Sequence, residues 1–212
     1  MKFLPAAVGA GVEEVREAKR LQAETRRSVY ASGSGYLLAE DRYYHSGHTW
    51  AQPLTGGRVR IGIDDFSGKI FGKPDRLDLP GHGEILRKDR SGWLMTRRGK
   101  RAGFAAPVTG KVFAVNQRAM EDPEIMLEDP YREGWLLVLD PPLVRPRDLE
   151  SLYRGNGTAR WMEEEYRKLL ELLGPEYEQL AATGGFPIKD LFGHYPEIGW
   201  ERLVSTFLKT SV

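Results

Sequence analysis

The chain contains no cysteine and carries almost no net charge. With no cysteine among its 212 residues, disulfides, thiolate nucleophiles and cysteine metal sites are excluded, which fits a reducing compartment. Its 31 Lys and Arg residues nearly balance its 30 Asp and Glu residues, so we expect no global attraction to nucleic acid or to an anionic membrane. Any electrostatic targeting must therefore be local.

Long apolar runs are also missing. The longest run near the middle of the chain, residues 135–139, is far shorter than the roughly 20 residues that cross a membrane as a helix. Residues 1–11 hold too short an apolar segment for a signal peptide. We therefore expect a cytoplasmic protein with no membrane partner. A hydrophobic content of 41% is enough for a folded core, and the length allows one or two domains.

Changes in composition and residue patterning divide the chain into three parts. Residues 1–41 are predicted to form an N-terminal extension, with a charged surface helix over 12–28 and a flexible Gly- and Ser-rich joint at 31–35. Residues 42–142 consist of short apolar stretches cut by Gly, Pro and Asp, which is typical of a small β-sandwich or barrel. Residues 143–212 are predicted to form a C-terminal helical extension that packs within the chain.

Several elements follow from local signals. A Thr-Gly-Gly turn between residues 50–54 and 59–63 predicts a hairpin, and an aspartate at the start of residues 64–71 predicts a capped short helix. The other predicted elements are strands at 76–79 and 135–139, a short helix over 120–126 around Pro123, and extension helices over 158–174, 175–182 and 198–208.

The stretch that organises the chain is residues 92–115 (GWLMTRRGKRAGFAAPVTGKVFAV), which we predict to contain a β-hairpin. A basic run, RRGKR, interrupts its apolar residues, and Gly99 lies in that run, where a residue free to adopt positive φ is needed. Lys100 is therefore predicted at the tip of the hairpin. A single lysine presented to solvent in this way suggests a carrier protein.

Motifs spread along the β-rich part share one register. They are residues 44–50 (YHSGHTW), 59–66 (VRIGIDDF), Gly72, 77–80 with Gly83, 106–112 (APVTGKV), 115–116, 123–124 and 129–136 (DPYREGWL). In this order and spacing they resemble the glycine cleavage system H protein family. Because several separate motifs keep the family's spacing, the resemblance covers roughly residues 43–140.

The resemblance implies a fold and a function. The implied fold is a lipoyl/biotinyl-type barrel-sandwich hybrid, so we expect a mainly β (α+β) protein with an N-terminal helix and C-terminal helices. The implied function is that of a non-catalytic carrier in glycine catabolism. In the family, lipoate joined by an amide to a hairpin lysine shuttles an aminomethyl group and reducing equivalents between glycine cleavage enzymes. Those enzymes and a lipoate ligase are the implied partners.

The lipoyl attachment motif departs from the family pattern. The family's lysine ends a Glu-Ser-Val-Lys segment, and counting back without a gap from residues 106–108 places Gly99 at the lysine position. Thr96 then replaces the glutamate, and Arg97 and Arg98 follow it. Lys100, one place late, is the candidate attachment residue, so lipoate is an expected cofactor only if Lys100 accepts it. The shift matters because side chains alternate between the faces of a strand.

Three functions remain open from the sequence. The first is an H-protein-like carrier, with or without lipoate. The second is a degenerate H-protein fold that serves as a protein-binding scaffold or adaptor. The third is a basic hairpin tip that binds a phosphate-bearing ligand or nucleic acid. Nucleic acid ranks last because no phosphate-binding glycine loop or basic motif interleaved with aromatic residues accompanies the tip.

No arrangement typical of an enzyme is visible. His45, His48 and His82 lack the spacing of a metal site, and the resemblance explains His48 as the family's structural histidine. Asp64 and Asp65 are adjacent, so helix capping explains them better than paired acid-base catalysis. We therefore predict no catalytic residue, no metal site and no enzymatic activity.

Overall fold

The computed structural model of the chain describes residues 29–140, 146–175 and 187–210. The strands within these ranges are β1 (Val29–Ala31), β2 (Leu37–Ala39), β3 (Tyr43–Tyr44), β4 (Thr49–Pro53), β5 (Val59–Ile63), β6 (Arg76–Asp78), β7 (Ile85–Leu86), β8 (Ser91–Arg97), β9 (Lys100–Ala105), β10 (Gly110–Val115) and β11 (Leu137–Asp140). The α-helices there are α1 (Asp65–Phe71), α2 (Gln117–Glu121), α3 (Ile125–Glu128), α4 (Pro146–Glu150), α5 (Asn156–Leu173), α6 (Leu191–His194) and α7 (Trp200–Leu203), with a 3₁₀ turn at Pro196–Ile198 and a π-helical turn at Val204–Leu208.

The described strands form three antiparallel sheets. The largest has the order β3-β4-β5-β11-β10-β7, the second has the order β6-β8-β9, and the third consists of β1 and β2. Strand β11 lies between β5 and β10, so the last strand of the β-rich part takes a central position in the largest sheet. The expected mainly β fold with helical extensions is confirmed.

The alternation of side chains along β8 explains how the smaller sheet packs. Trp93, Met95 and Arg97 are buried, whereas the residues between them are half-buried. This is the period of two that a strand requires when one face covers a core. Trp93 stacks on Phe104 of β9 with ring centroids 6.0 Å apart, so the two strands share one apolar face.

Several local predictions are confirmed. Strands β4 and β5 pair from Thr49↔Ile63 to Pro53↔Val59, which is the hairpin predicted around the Thr-Gly-Gly turn. Helix α1 begins where Asp64 accepts a hydrogen bond from Ser67 N at 2.8 Å, as predicted for a capping aspartate. The predicted strands at 76–79 and 135–139 and the helix at 158–174 correspond to β6, β11 and α5.

Two local predictions are wrong. Residues 31–35, predicted as a flexible joint, form a tight connection between β1 and β2. Ser32 N donates to Tyr36 O at 2.8 Å, and the side chains of Ser32 and Ser34 are buried. The helix predicted over 120–126 is broken into α2 and α3, which flank Pro123. Proline lacks the backbone N–H that a continuous helix would need there.

The helical extensions are only partly described. The helix predicted over 12–28 and all but the first residue of the one predicted over 175–182 lie outside the described residues. The helix predicted over 198–208 corresponds to α7 and the π-helical turn that follows it. Trp200, Leu203 and Phe207 on these turns are buried, so this part of the extension packs within the chain. The domain boundaries at 41 and 142 remain a prediction.

A close approach at Gly62 gives a test of the core. A Cβ atom added at Gly62 would lie 2.6 Å from Cζ2 of the fully buried Trp50. We expect Gly62→Ala to lower the free energy of unfolding by about 1–3 kcal/mol because the indole ring cannot move away. Denaturant unfolding measures this change. Gly157→Ala is the matched control, since nothing lies within 4 Å of an added Cβ there, and an equal loss of stability in both variants would contradict the packing at Trp50.

Candidate functional site

The hairpin between β8 and β9 has a two-residue turn made of Arg98 and Gly99. Their φ angles are 48° and 73°, and Arg97 pairs with Lys100 on either side of them. Two consecutive positive φ angles are typical of the turn that matches the twist of antiparallel strands. The tip is therefore narrower than the predicted RRGKR turn. Lys100 is the first residue of β9 and lies just beyond the turn.

Gly99, at the family's lysine position, and Lys100, the candidate attachment residue, differ in whether they carry an amine and in what surrounds them. At Gly99 an added Cβ would meet nothing within 4 Å, so the position is open but carries no amine. Lys100 has an amine, its side chain is 42% exposed, and its Nζ lies 3.5 Å from Glu201 Oε1. An exposed ion pair of this kind stabilises a fold by at most about 1 kcal/mol. Because lipoate attachment needs an amine, the aligned position does not fit the group.

Arg97, the first residue of the basic run RRGKR, has a buried side chain. Arg97 is buried, and its Nη2 donates to Asp190 Oδ2 at 2.6 Å while Nη1 donates to Asp190 Oδ1 and to the carbonyl oxygen of Phe71. A fork of two parallel hydrogen bonds is the strongest arrangement between guanidinium and carboxylate. Arg97 is therefore not available to solvent as part of a basic hairpin tip.

Glycine at position 72 makes room for this pair. Gly72 ends helix α1 with φ of 67°, and a Cβ there would collide with Arg97 Nη1 and with the carboxylate of Asp190. Glycine is needed both for the positive φ and for the close approach. The residue that the sequence motif places at the end of α1 is thus the residue that lets the guanidinium reach its acceptors.

Asp190 is held in place by its own helix. It lies in the left-handed region with φ of 60°, and its Oδ1 accepts a hydrogen bond from Gly193 N at 2.9 Å at the start of α6. Partial burial opposes ionisation, but hydrogen bonds from Arg97 and Gly193 and the charge of Arg97 lower the pKa of Asp190 below its usual value. The Asp190 carboxylate is therefore ionised in its ion pair with Arg97.

We name residues 187–210, which include Asp190, the C-terminal cap. The rest of this cap also lies against the β8–β9 hairpin. Trp200 Nε1 donates to Arg101 O at 2.7 Å, and Thr210 Oγ1 donates to Gly103 O. The Trp200 ring packs edge-on against Phe71 of α1, with ring centroids 5.2 Å apart. These contacts make the C-terminal cap part of the core.

The basic patch at the tip is smaller than the sequence indicates. Of the four cations in RRGKR, Arg97 is neutralised by Asp190 and Lys100 faces Glu201. Arg98 and Arg101 are exposed, and the backbone N–H of Arg98 donates to Asp75 Oδ2 at 2.5 Å. A cluster of four free charges for a phosphate group is therefore not formed among these residues.

A second polar cluster fixes helix α5 on the β-rich part. His48 is fully buried, its Nδ1 lies 2.8 Å from Asp64 Oδ2, and its Nε2 lies 3.6 Å from Glu165 Oε2. The other oxygen of Glu165 accepts a hydrogen bond from Lys168 at 2.6 Å. Burial disfavours the charged ring, but the charges and hydrogen bonds of Asp64 and Glu165 raise the pKa of His48 to about 9. His48 is thus a buried cation between two carboxylates.

The other histidines weighed as metal ligands lie in separate places. His45 Nε2 lies 2.8 Å from Asp89 Oδ1, and His82 Nδ1 lies 2.9 Å from the carbonyl oxygen of Phe113. In the described residues no group of three or more His, Cys, Asp or Glu side chains could hold a metal ion. In the same part of the chain no helix is long and apolar enough to span a membrane.

Sequence reasoning did not identify the partners of the hairpin. The apolar spacing around Trp200 indicates packing within the chain, but it does not say on which surface. Nothing in the pattern distinguishes Asp190 from the other acidic residues of the extension. The available signal was Arg97, since an arginine on the inward face of an apolar strand needs a buried acceptor.

The ion pair between Arg97 and Asp190 leads to the first prediction for this site. Asp190→Asn removes the negative charge while keeping the shape, and leaves the buried guanidinium with a weaker acceptor. We expect the free energy of unfolding to fall by about 1–3 kcal/mol, less than for a wholly buried pair because Asp190 is partly exposed. Urea unfolding measures the change. Glu201→Gln is the control, and a loss there as large as at Asp190 would contradict the distinction between the two pairs.

The buried histidine leads to a pH-dependent prediction. Since the pKa of His48 is raised from 6.5 to about 9 on folding, its contribution to stability is complete below pH 6.5 and is lost as the pH rises through 9. We expect the free energy of unfolding to fall by roughly 1–3 kcal/mol between pH 7 and pH 10. His48→Gln should flatten this dependence, whereas the exposed His82→Gln should not. A wild-type profile unaffected by His48→Gln would rule out a buried cation.

Comparison with known proteins places the chain in a family. The family profile described as "Glycine cleavage H-protein" matches residues 42–165. Glycine cleavage system H proteins from Anaeromyxobacter sp. (strain K) and Thermus thermophilus are 32% and 30% identical over 128 residues, which is 60% of this chain and 98% of each relative. A crystal structure of a glycine cleavage system H protein from Mycobacterium marinum superposes with a TM-score of 0.51 at 26% identity, over 60% of this chain and 98% of that one.

The match confirms the lipoyl-type fold and separates the family part from the rest. The relatives are covered almost from end to end, whereas the C-terminal cap at 187–210 lies outside the family match. The β8–β9 hairpin therefore lies within the matched residues, whereas the segment that packs on it lies outside them. With more than half of its residues matched in register, this chain belongs to the glycine cleavage H-protein family.

Proposed function

We propose that this chain is a non-catalytic binding module of the H-protein family that works through protein partners and carries no lipoate on its hairpin. One observation carries the proposal. Counting back from residues 106–108 puts the family's lysine position at Gly99, and Gly99 lies in a turn whose preceding strand residue, Arg97, is hydrogen-bonded to Asp190 of the C-terminal cap. The position that would carry the group has no amine, and the strand residue two places before it is buried in an ion pair.

The position of Lys100 supports the absence of lipoate. As the first residue of β9 it stands one place after the aligned turn position Gly99, so its side chain leaves the backbone from the strand and not from the turn. Its amine lies 3.5 Å from Glu201 of the C-terminal cap. A ligase that grasps a lysine in fixed geometry would meet a displaced amine and the flanking arginines Arg98 and Arg101.

The proposed partners are the enzymes of the glycine cleavage system, in keeping with the family. We propose that they dock on a side other than the outer edge of β9, because the C-terminal cap lies there. The cytoplasmic location expected from the sequence is retained in this proposal. The phosphate-binding alternative has less support, since the charge of Arg97 is already neutralised by Asp190.

A lipoyl carrier is kept as the second candidate because of one observation. The Lys100 side chain is 42% exposed beside the turn, and its contact with Glu201 is an exposed ion pair. Such a pair opens readily, so the amine is accessible to a ligase. In this alternative Lys100 would hold the lipoyl group through an amide, and the group would supply a disulfide whose S–S bond is reduced as one of its sulfurs takes up the aminomethyl unit.

Intact-mass measurement distinguishes the two candidates. The chain is coexpressed with a lipoate ligase and lipoate, beside the Thermus thermophilus relative as a control. We expect the wild-type chain to keep its unmodified mass while the control gains a lipoyl group, because Gly99 has no amine and Lys100 is displaced. A lipoyl mass on the wild-type chain that disappears in Lys100→Arg would contradict the proposal and establish the carrier.

The same unmodified protein then tests the binding role. It is immobilised and exposed to each purified glycine cleavage enzyme in turn, and we expect at least one to bind without lipoate. Lys100→Arg should bind equally well, since the proposal gives the amine no part in the contact. Failure of all these enzymes to bind the unmodified, folded chain would remove the support for a binding module in this system.

A further inference from the structure

A pocket of about 370 Å³ lies beside helix α1. One face of α1 lines it, together with Leu37 of β2, Leu127 of α3 and Lys189 at the start of the C-terminal cap. This volume is near the lower end of the range found for small-molecule sites in proteins. The described residues that line it do not include the turn at Arg98 and Gly99, so the pocket is separate from the hairpin tip.

Asp65 reaches this pocket with one carboxylate oxygen unpaired. Its side chain is 4% exposed, and its Oδ2 accepts hydrogen bonds from Leu37 N at 2.8 Å and from Lys69 Nζ at 2.6 Å. Within the described residues Oδ1 receives no hydrogen bond, yet it keeps contact with solvent. Burial raises the pKa of Asp65 above its usual value, although the charge of Lys69 and both hydrogen bonds oppose this. A donor that enters the pocket can therefore complete the hydrogen bonding of a buried carboxylate.

Other charged groups around the pocket differ in whether they already have partners. Lys73 Nζ lies 2.7 Å from Glu124 Oε2, and Asp190 is held in its buried ion pair. In the part of the chain that the structure describes, Lys189 and Glu128 have no ion-pair partner. The groups left for a ligand are therefore of both signs, one ammonium and a small number of carboxylate oxygens.

The unpaired groups of opposite sign lie toward different ends of α1. Asp65 begins this helix, and Gly72 follows its last residue, about 10 Å further along the axis. Asp190, the chain neighbour of Lys189, lies directly against Gly72. The ammonium group is therefore attached near one end of α1, and the unpaired carboxylate oxygen lies at the other.

Apolar side chains line the pocket between these ends. Leu127 Cδ2 lies 3.1 Å from the position of a Cβ atom added at Gly68, which is midway along α1. Leu37, whose N–H bonds to Asp65, supplies a second half-buried leucine. Because glycine has no side chain, the middle of α1 leaves room for a ligand beside these leucines.

We propose that this pocket binds an ω-amino acid, whose ammonium group donates to Asp65 Oδ1 and whose carboxylate pairs with Lys189. The methylene chain of the ligand packs on Leu37 and Leu127, and Glu128 adds negative charge on the α3 side. An α-amino acid fits less well because both of its charged groups are attached to one carbon and cannot reach both ends of α1. This inference goes beyond the proposed function and does not depend on it.

Titration of the full chain with 6-aminohexanoate, followed by amide NMR, tests the proposal. We expect saturable shifts at Leu37, Gly68 and Gly72, with a roughly millimolar dissociation constant for a ligand of this size. Norleucine is an isomer of the probe that carries both charged groups on one carbon, so it should bind at least about tenfold more weakly. Hexylamine, which lacks the carboxylate, should also bind more weakly.

Two variants remove the proposed contacts one at a time. In Asp65→Asn the amide oxygen can keep the hydrogen bond from Leu37 N, which places an NH₂ group where the ligand ammonium needs an acceptor. This variant and Lys189→Gln should each weaken binding of 6-aminohexanoate at least about fivefold. Asp140→Asn and Lys111→Gln are the matched controls, since they make the same changes outside the lining and should leave binding unchanged.

The test stays decisive if one variant is damaged. Should Asp65→Asn lose its folded circular dichroism spectrum, Lys189→Gln and the norleucine comparison decide, because the Lys189 side chain is exposed and its loss spares the fold. Absence of saturable shifts, equal affinity for norleucine, or affinity that is unchanged in the folded variants would overturn the proposal.

Discussion

A buried guanidinium on a strand needs an acceptor, and this requirement organises the hairpin region. Arg97 points inward from β8, where its neighbours on the same face are apolar, and an unpaired charge there would be strongly destabilising. Asp190 supplies the carboxylate, Phe71 supplies a carbonyl oxygen, and Gly72 leaves the space. The C-terminal cap is consequently attached at its start to the strand that leads into the turn.

The function of the hairpin depends on which side chains its turn exposes to a partner. In the family resemblance the turn offers a lysine, whereas here it offers Arg98 and Gly99, with Lys100 already in β9. The side chains that flank the turn are drawn into contacts with Asp190 and Glu201 of the same chain. The strand residue that leads into the turn is therefore part of an internal contact with the C-terminal cap.

Periodic and motif-based features were predictable from the sequence, whereas partnerships across the chain were not. The β4–β5 hairpin, the Asp64 cap and helix α5 each depend on residues close together in the chain, and the in-register motifs identify the family. Glu165 is acidic, so its type indicates solvent, yet it is buried opposite His48. The pairing of Arg97 with Asp190 spans 93 positions, and no local pattern encodes that distance.

Native-state hydrogen exchange of the wild-type protein tests most directly whether the hairpin and the C-terminal cap form one packed unit. The amides of α7 and those shared by β8 and β9 are followed together at increasing, sub-denaturing concentrations of denaturant. A single unit predicts that both sets open with the same free energy and the same denaturant dependence. Opening of α7 at a clearly lower free energy, while the hairpin amides stay protected, would contradict it.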